Sequence, residues 1–245
     1  MDLDDLVASA SAVIVDLGAA FYFTPATIAR GAELGLDAFG FYTLGRGGVL
    51  GNVEAPVIVS AFGYFEPATL SAMWDAARAI SEPRATAAAF MECNHEFGRE
   101  HFSDLEGLDA FCEAAEAIVT SVHPAGLALF AGLAAEPLPG DPPARAMHLT
   151  SVLREFRGSV HLLCVVAARV EPKMAHYIRR PGVFEIFGYS ADEVPEVTDL
   201  DRQALHQADQ MTNRLVAGAY SVLDEAAGQA LMAGLTTMSG ALAAP

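Results

Sequence analysis

The chain has 245 residues, of which 53% are hydrophobic and only 18% charged, which excludes extensive disorder and allows a substantial core. Its 14 Lys+Arg against 31 Asp+Glu give a formal net charge of −17, a field that repels the phosphate backbone of nucleic acids. No run of cations is longer than Arg179–Arg180. We therefore expect no nucleic-acid partner.

The three cysteines, Cys93, Cys112 and Cys164, form no CxxC pair, so no disulfide framework is expected. The N-terminal residues MDLDDLVASA are acidic where a signal peptide would be basic. The apolar runs 55–65 and 160–170 are too short to span a bilayer. These features predict a cytoplasmic protein with no membrane partner.

Helical signals dominate the first half of the chain. Apolar residues recur at helical spacing from Asp2, and Thr24-Pro25 supplies an N-cap followed by proline at the first helical position. The predicted helices are 2–20, 25–34, 37–45, 67–80, 83–101, 104–122 (capped by Ser103) and 125–134. The stretch GRGGVLG (45–51) is predicted to be a loop, and 55–65 fits either a short strand or a buried helix.

The segment PLPGDPP (137–143) is the clearest linker, with four prolines in seven residues. It predicts an N-terminal helical module, 1–136, and a C-terminal module, 144–245. Residues 181–197 are predicted to be irregular. The predicted helices of the second half are 144–170, 172–180, 199–223 and 224–235.

Three polar residues, Arg154, Arg157 and His161, lie at the edge of the apolar run LREFRGSVHLLCVVAARV (153–170). At 100° per residue they share one side of the predicted helix, with Gly158 between them. The opposite side is an apolar stripe of Leu149, Val152, Leu153, Phe156, Val160, Leu163 and Ala167. Apolar residues also close off the side of the trio, namely Leu162, Val165 and Val166. The trio is therefore expected to face a cleft or another helix.

Two arginines beside an imidazole would bind a carboxylate, and their charge would keep His161 neutral. Arg154 and Arg157 could instead pair with acidic residues of neighbouring helices and only clamp the fold; this alternative stays open. Breaking such a buried clamp typically costs about 3–5 kcal/mol, whereas a ligand-binding residue can be removed at little cost to the fold. We expect Arg154→Ala to destabilise the fold and His161→Ala to be tolerated.

The segments YFTPATIARGAELGLDAFGFYTLGRGGVLGNVEAPVIVSAFGYFEP (22–67) and LREFRGSVHLLCVVAA (153–168) resemble the SalK-like actinobacterial family, described as winged helix-turn-helix and without an established function. Its members carry a Tyr-Phe-x-Pro-Glu start, a Gly/Arg-rich turn ending in Pro-Leu-Gly, and an Arg-Glu-x-Arg-Gly-Asp-x-His signature. The matching residues here are Tyr22, Phe23, Pro25, Arg46, Leu50, Gly51, Arg154, Glu155, Arg157, Gly158 and His161.

This resemblance implies a mainly α fold, a helical protein built on degenerate winged-helix-like modules with few short strands. Ser159 stands where the family has Asp, and Val49 where it has Pro. The winged segment would fall in 181–223, which lacks a clean helix–turn–helix–hairpin pattern. That segment carries acidic residues where a DNA reader needs cations, namely Asp192, Glu193, Glu196, Asp199 and Asp201.

Other candidate sites give weaker signals. CNHEFGREH (93–101) contains neither HExxH nor HxxEH, so no metal is expected there. GRGGVLG is neither a dinucleotide fingerprint nor a P-loop, and no G-x-S-x-G elbow is present, so no cofactor is expected. Cys164 is predicted to face the core. Arg46 could point at the same cleft as His161, and some aromatic residues of the first third could line an apolar pocket.

The favoured function is a small-molecule-binding or accessory protein without DNA contact, whose ligand is acidic and partly apolar and occupies a cleft between the two halves. The expected ligand-binding residues are Tyr22, Tyr42, Arg46, Arg154, Arg157 and His161. One alternative is an enzyme of specialised metabolism, with His161 as acid/base and Arg154 or Arg157 holding a carboxylate. Another is a ligand-responsive transcription factor, which the family description favours and the charge disfavours.

A homodimer is predicted from the apolar residues of the last two helices, which exceed what a terminal appendage needs. These residues are Leu205, Met211, Leu215, Val216, Val222, Leu223 and Leu231.

Overall fold

The structure, a computed structural model, describes residues 2–243, and within them the chain forms twelve α-helices and four short 3-10 helices. The α-helices are α1 Leu3–Leu17, α2 Pro25–Glu33, α3 Ala38–Gly47, α4 Ala55–Phe62, α5 Pro67–Ile80, α6 Pro83–Phe102, α7 Leu108–Ser121, α8 Ala128–Ala134, α9 Pro142–Ala167, α10 Pro172–Arg179, α11 Asp199–Tyr220 and α12 Glu225–Ala243. The predicted mainly α fold is confirmed.

Prolines and polar caps set where many of these helices begin. Six of the described α-helices carry proline in their first turn, where its missing N–H costs no helical hydrogen bond. The Thr24 hydroxyl accepts from the Thr27 N–H at 3.2 Å, and the Asp141 carboxylate accepts from the Ala144 N–H at 3.4 Å. Sequence signals of this kind place helix starts well, and the predicted helix 67–80 coincides with α5.

The segment that fits either strand or helix, 55–65, forms helix α4 and then a turn. Glu54 is the N-cap, and Gly63 ends the helix with φ 72°. Ile58 in its middle is fully buried, because α4 packs on α5. The prediction of a few short strands is wrong for residues 2–243, where every regular element is helical. Tertiary packing has overridden the β preference of this Val/Ile-rich run.

The predicted loop GRGGVLG is helical over most of its length. Gly45–Gly47 belong to α3 and Gly48–Leu50 form a 3-10 helix, so only Gly51, with φ 82°, needs a left-handed conformation. The other glycines serve close packing. A Cβ on Gly45 would lie 2.6 Å from the Cβ of Phe90, and one on Gly48 would meet the backbone of Pro83. Glycine is therefore required here mainly because helices α3 and α6 touch.

Several predicted helix boundaries shift, most of all at the last helix, where α12 runs to Ala243 and does not end at 235. Ser103 does not cap a helix from 104; it follows the end of α6, where its hydroxyl donates to the Arg99 carbonyl, and α7 begins at Leu108 after Gly107. The Pro-rich linker is also shorter than predicted, because α9 begins at Pro142.

Helix α9 is the centre of the molecule and packs against α1, α6, α7, α8 and α11. The predicted stripe of α9 is buried from Leu149 to Val160, but Leu163 is 46% exposed and Ala167 is exposed as well. Residues spaced by seven drift by about 20° per repeat, so the stripe rotates away from the core along this long helix. Cys164 and Val165 are buried instead, which confirms the predicted burial of Cys164.

One continuous hydrophobic core extends from Leu6 to Met238 and includes residues on both sides of the Pro-rich segment. The division into modules 1–136 and 144–245 stays a prediction. No helix of the described chain is both long enough and apolar enough to cross a membrane.

Candidate functional site

A cleft of about 430 Å³ opens beside α9. It is lined by residues from both halves of the chain, and this volume lies in the usual range for small-molecule sites. Its charged and polar lining residues are Tyr42, Arg46, Tyr64, Arg154, Glu155, Arg157, Ser159, His161, His176, Arg179, Arg180 and Asp209; Gly158 and apolar residues including Val15, Phe62, Phe65, Leu129, Leu162 and Phe187 complete it. Five arginines therefore face two carboxylates in a chain of net charge −17.

Glu155 is the centre of an ion network at one end of the cleft. Arg46 grips it bidentately, with Nε 2.9 Å from Oε1 and Nη2 2.8 Å from Oε2. Arg154 Nη1 donates to the same carboxylate at 2.8 Å and to Tyr22 Oη at 3.1 Å, and Tyr22 in turn donates to Glu155 at 3.3 Å. Arg46 also donates to Tyr42 at 3.1 Å. We call Tyr22, Arg46, Arg154 and Glu155 the Glu155 cluster.

The Glu155 cluster carries a surplus positive charge. Burial would raise the pKa of Glu155, but Arg46 and Arg154 outweigh it and lower that pKa to about 2. Burial raises the pKa of Tyr22, so its hydroxyl stays neutral. Two guanidinium groups then share one carboxylate, and one positive charge is left without a partner.

Arg157 faces the cleft without any carboxylate partner among residues 2–243. Its one side-chain hydrogen bond runs from Nη2 to Asn213 Oδ1 at 3.3 Å, and its buried Nε has no partner. A buried guanidinium nitrogen left in this state is costly unless another group completes it. Burial lowers the pKa of Arg157, the direction expected for a cation that is partly removed from water.

His161 lies between a hydroxyl and a carboxylate. Tyr64 Oη is 2.6 Å from its Nδ1, and Asp209 Oδ1 is 3.1 Å from its Nε2. A carboxylate can only accept, so Nε2 carries the proton and Nδ1 accepts from the Tyr64 hydroxyl. Arg179 binds the other oxygen of Asp209 and neutralises much of its influence on the ring. The result is a chain of contacts from Tyr64 through His161 and Asp209 to Arg179.

His161 is neutral at physiological pH. Burial, together with the charges of Arg157 and Arg179, lowers the pKa of His161 to about 4. Burial raises the pKa of Tyr64, so this hydroxyl keeps its proton. The sequence-based expectation that neighbouring arginines keep His161 neutral therefore agrees with the geometry, although burial is the larger cause.

Gly158 leaves the space between these side chains open. It lies in the interior of α9, where glycine costs about 1 kcal/mol relative to alanine. A Cβ added to Gly158 would meet no atom within 4 Å beyond its own stretch of α9. Packing therefore does not require glycine at this position, in contrast to Gly45. What glycine does provide is room in the cleft between Arg154 and His161.

An aromatic wall, formed by Phe62, Phe65, His176 and Phe187, borders the cationic residues. The ring of Phe187 stacks on Phe65, with centroids 4.2 Å apart, and its centroid is 3.9 Å from that of His176. The Arg46 guanidinium lies over the ring of Phe62 at 4.3 Å. Phe187 reaches this wall from the irregular segment 181–197, whose backbone is held to α5 by a 2.8 Å bond from the Glu66 N–H to the Phe187 carbonyl.

Five of the six predicted ligand-binding residues line the cleft, and one does not. Tyr42, Arg46, Arg154, Arg157 and His161 all line the cleft, as the helical wheel indicated for the trio on α9. Tyr22 does not line it; it is buried behind Arg46 and Glu155 because it packs on Phe21 and Phe90.

Several residues of the cleft were not predicted. They are Glu155, His176, Arg179, Arg180, Phe187 and Asp209, whereas Tyr64 is one of the aromatic residues of the first third that could line a pocket. Glu155 stands inside the signature between two arginines, and this was the one local signal available. The others lie far away along the chain, in or beside α10, in segment 181–197 and on α11, and only the folded chain brings them together at the cleft.

The candidate metal segment 93–101 does not gather ligands. His95 stacks on His148, with Nε2 and Nδ1 3.0 Å apart, and Arg99 pairs with Asp141. No group of three or more metal-ligating side chains of the His, Cys, Asp and Glu types occurs in residues 2–243.

Stability is expected to fall as the pH is lowered from 6.5 to 5. Burial lowers the pKa values of His148, His161 and His176 to about 4, whereas an unfolded histidine titrates near 6.5. The unfolded chain therefore binds more protons in this window, and the free energy of unfolding should fall by several kcal/mol by about pH 4. Urea unfolding at pH 7, 6 and 5 measures it. Equal free energies at pH 7 and 5 would contradict the assignment of three neutral histidines.

Five pairs of consecutive α-helices within residues 2–243 are joined by turns of two to four residues, among them α2–α3 through residues 34–37 and α5–α6 through residues 81–82. In a DNA-binding helix-turn-helix the second helix enters the major groove. Here seven of the ten residues of α3 are buried, and Arg46 in its last turn is held by Glu155. Half of the twenty residues of α6 are buried as well.

The chain matches a known protein family. No curated protein and no solved structure matches the chain. Residues 7–185 match the sequence model of a helix-turn-helix family, and this range covers more than half of the chain. It includes Tyr22, Arg46 and all of α9, but excludes α11, which supplies Asp209. The predicted resemblance to a helix-turn-helix family is confirmed, and the chain belongs to that family.

Proposed function

We propose that this protein binds a small, acidic and partly apolar molecule in the cleft beside α9. The observation that carries the proposal is the charge of the lining, five arginines against two carboxylates, in a chain that is otherwise strongly acidic. A structural clamp would pair its arginines, and Arg157 has only an amide partner. A carboxylate from a ligand would complete this guanidinium with two parallel hydrogen bonds.

The two alternative roles of the trio separate along α9. Arg154 belongs to the Glu155 cluster and acts mainly as a clamp between α9, α3 and the end of α1, since it also donates to the Val15 carbonyl at 3.2 Å. Arg157 and His161, one and two turns further on, face the open part of the cleft. On this proposal, Arg157 binds the acidic group and His161 with Tyr64 forms the floor beneath it.

Carboxylate-dependent melting tests this proposal. Acetate, succinate and benzoate would each replace chloride at constant ionic strength. A bound anion raises the melting temperature with the logarithm of its concentration. We expect such a rise with at least one acid for the natural protein and for Arg214→Gln, an exposed arginine outside the cleft, and no rise for Arg157→Gln. Equal responses of the two variants would refute the proposal.

A second candidate function is an enzyme in which His161 acts as acid/base. The Tyr64–His161–Asp209 chain favours it, because a neutral imidazole oriented by a carboxylate is the arrangement that a general base requires. Tyr64→Phe would separate the candidates. It removes only the hydroxyl on Nδ1, so an enzyme would lose turnover while a binding protein would keep most of its affinity for the same compound.

We propose that DNA is not a partner, although the family is described as helix-turn-helix. The net charge of −17 and the extensive burial of α3 and α6, the second helices of two of the short-turn pairs, support this. Mixed-sequence duplex DNA should show no retardation with the protein at physiological salt in a mobility-shift assay. Salt-sensitive binding at micromolar protein would contradict this prediction and favour a ligand-responsive transcription factor instead.

A homodimer remains our proposal for the assembly, on narrower grounds than the sequence indicated. Leu205, Val216 and Leu231 are buried in the chain's own core, whereas Leu215 and Val222 remain 56% and 51% exposed. Paired Leu215→Glu and Val222→Glu substitutions should convert the dimer into monomer in sedimentation velocity runs. A natural protein that sediments as a monomer at high micromolar concentration would rule the dimer out.

A further inference from the structure

We infer that the ligand of the cleft is an aromatic carboxylic acid, with its carboxylate on Arg157 and its ring against the aromatic wall. This inference rests on the proposed function and names the class of compound. It depends on three observations: the aromatic wall, the two places where that wall meets the cationic residues, and the open space above Gly158.

The aromatic wall offers aromatic surface to a ligand ring. Phe187 stacks on Phe65 and lies close to His176, whose ring is tilted by 33° from that of Phe187, and all three rings line the cleft. A ligand ring that joins such a group, offset-stacked or edge-to-face, gains an attraction between ring quadrupoles beyond the area that it buries. An aliphatic group of equal size would bury the same apolar area but gain none of this attraction.

The wall and the cationic residues meet at two places. Tyr64, which contacts His161, directly precedes Phe65. His176 and Arg179 stand three residues apart on α10, which places them about one helical turn from each other. The carboxylate and the ring of a compact aromatic acid are directly joined, so both can reach these adjoining surfaces at once.

The open space above Gly158 leaves room in the cleft for a ring. Beyond its own stretch of α9, no atom lies within 4 Å of the place where a side chain would begin, and the flanking residues Arg157 and Ser159 also line the cleft. A flat ring can cross this point close to the backbone of α9. A side chain introduced here would occupy that space without altering any charge.

Calorimetric titration with three probes tests the inference. Benzoate carries the ring and the charge, cyclohexanecarboxylate carries the charge without the aromatic ring, and benzamide carries the ring without the charge. We expect benzoate to bind about three- to tenfold more tightly than cyclohexanecarboxylate, the range that corresponds to aromatic pair energies, and benzamide not to bind detectably.

Three variants assign the effect to the residues. Phe187→Leu should reduce the preference for benzoate to about unity and retain binding of cyclohexanecarboxylate, whereas Arg157→Gln should lose both acids. Gly158→Leu should lose both acids while melting no lower than the natural protein, because leucine favours the helix. Arg214→Gln is the control and should bind as the natural protein does.

Two outcomes overturn the inference, and they are distinguishable. Equal binding of cyclohexanecarboxylate and benzoate, or an unchanged preference in Phe187→Leu, would refute the aromatic class but leave an acid-binding cleft intact. No binding of either acid by the natural protein, together with a melting temperature that no carboxylate raises, would refute the proposed function as well.

Discussion

Replacing Glu155 with Gln is expected to destabilise the protein by about 3–5 kcal/mol, the largest loss among the variants considered. Glu155 is 3% exposed, and its carboxylate lies between the guanidinium groups of Arg46 and Arg154. The side chains of these arginines are only 15% and 21% exposed. Its loss leaves two positive charges with nothing to balance them. The amide nitrogen of glutamine would also place N–H donors opposite the N–H donors of the two guanidinium groups. In a chain of this size each kcal/mol corresponds to about 2–4 °C in melting temperature.

An exposed ion pair provides the control for Glu155→Gln. Glu33 contacts Arg30 at 2.9 Å, but both side chains are exposed, so Glu33→Gln should leave the melting temperature nearly unchanged. If Glu155→Gln melts within a degree or two of the natural protein, the Glu155 cluster does not hold α3, α9 and the end of α1 together as described.

Arg154→Ala and His161→Ala are expected to have opposite effects on stability and on binding. Arg154 donates to Val15, Tyr22 and Glu155, so its loss should cost roughly 1.5–3 kcal/mol, the usual range for hydrogen bonds of charged groups. His161 is uncharged at neutral pH, and Asp209 keeps Arg179 when the imidazole is removed. The alanine variant should therefore melt close to the natural protein but bind the acid at least about tenfold more weakly.

Thermal melts and titrations of the two variants, run side by side, measure this contrast. A melting temperature that collapses for His161→Ala, with no acid bound by the natural protein, would mean that His161 holds α11 against α9 and serves no ligand. A stable Arg154→Ala variant that loses binding would move Arg154 from the clamp to the ligand site.

Sequence reasoning placed most helices because their start signals are local. A cap followed by proline, as at Thr24-Pro25, acts through its nearest neighbours in the chain, and the structure has a helix there. Sequence reasoning failed where contact with a distant residue determines the local structure. The glycines of 45–48 read as a loop because the contact with Phe90 and Pro83 that requires them cannot be recognised from spacing.

The candidate site was likewise predictable only where helical periodicity determines it. Helical periodicity brings Arg154, Arg157 and His161 to one side of α9, and that side does face the cleft. Periodicity cannot reveal that Glu155 accepts from Arg46, more than a hundred residues earlier. Nor can it reveal that Glu155 also accepts from Arg154, so that Arg154 is not free to bind a ligand. Asp209 and Phe187 were missed for the same reason, since α11 and the segment 181–197 reach the cleft only in the folded chain.

Native mass spectrometry of the purified protein tests the central claim most directly, because it needs no assumption about the ligand. The natural protein and Arg214→Gln should each retain a small molecule that, after release and identification, bears an acidic group, and Arg157→Gln should be recovered without it. A bound molecule that persists in Arg157→Gln, or a released molecule without any acidic group, would contradict an acid-binding cleft on α9.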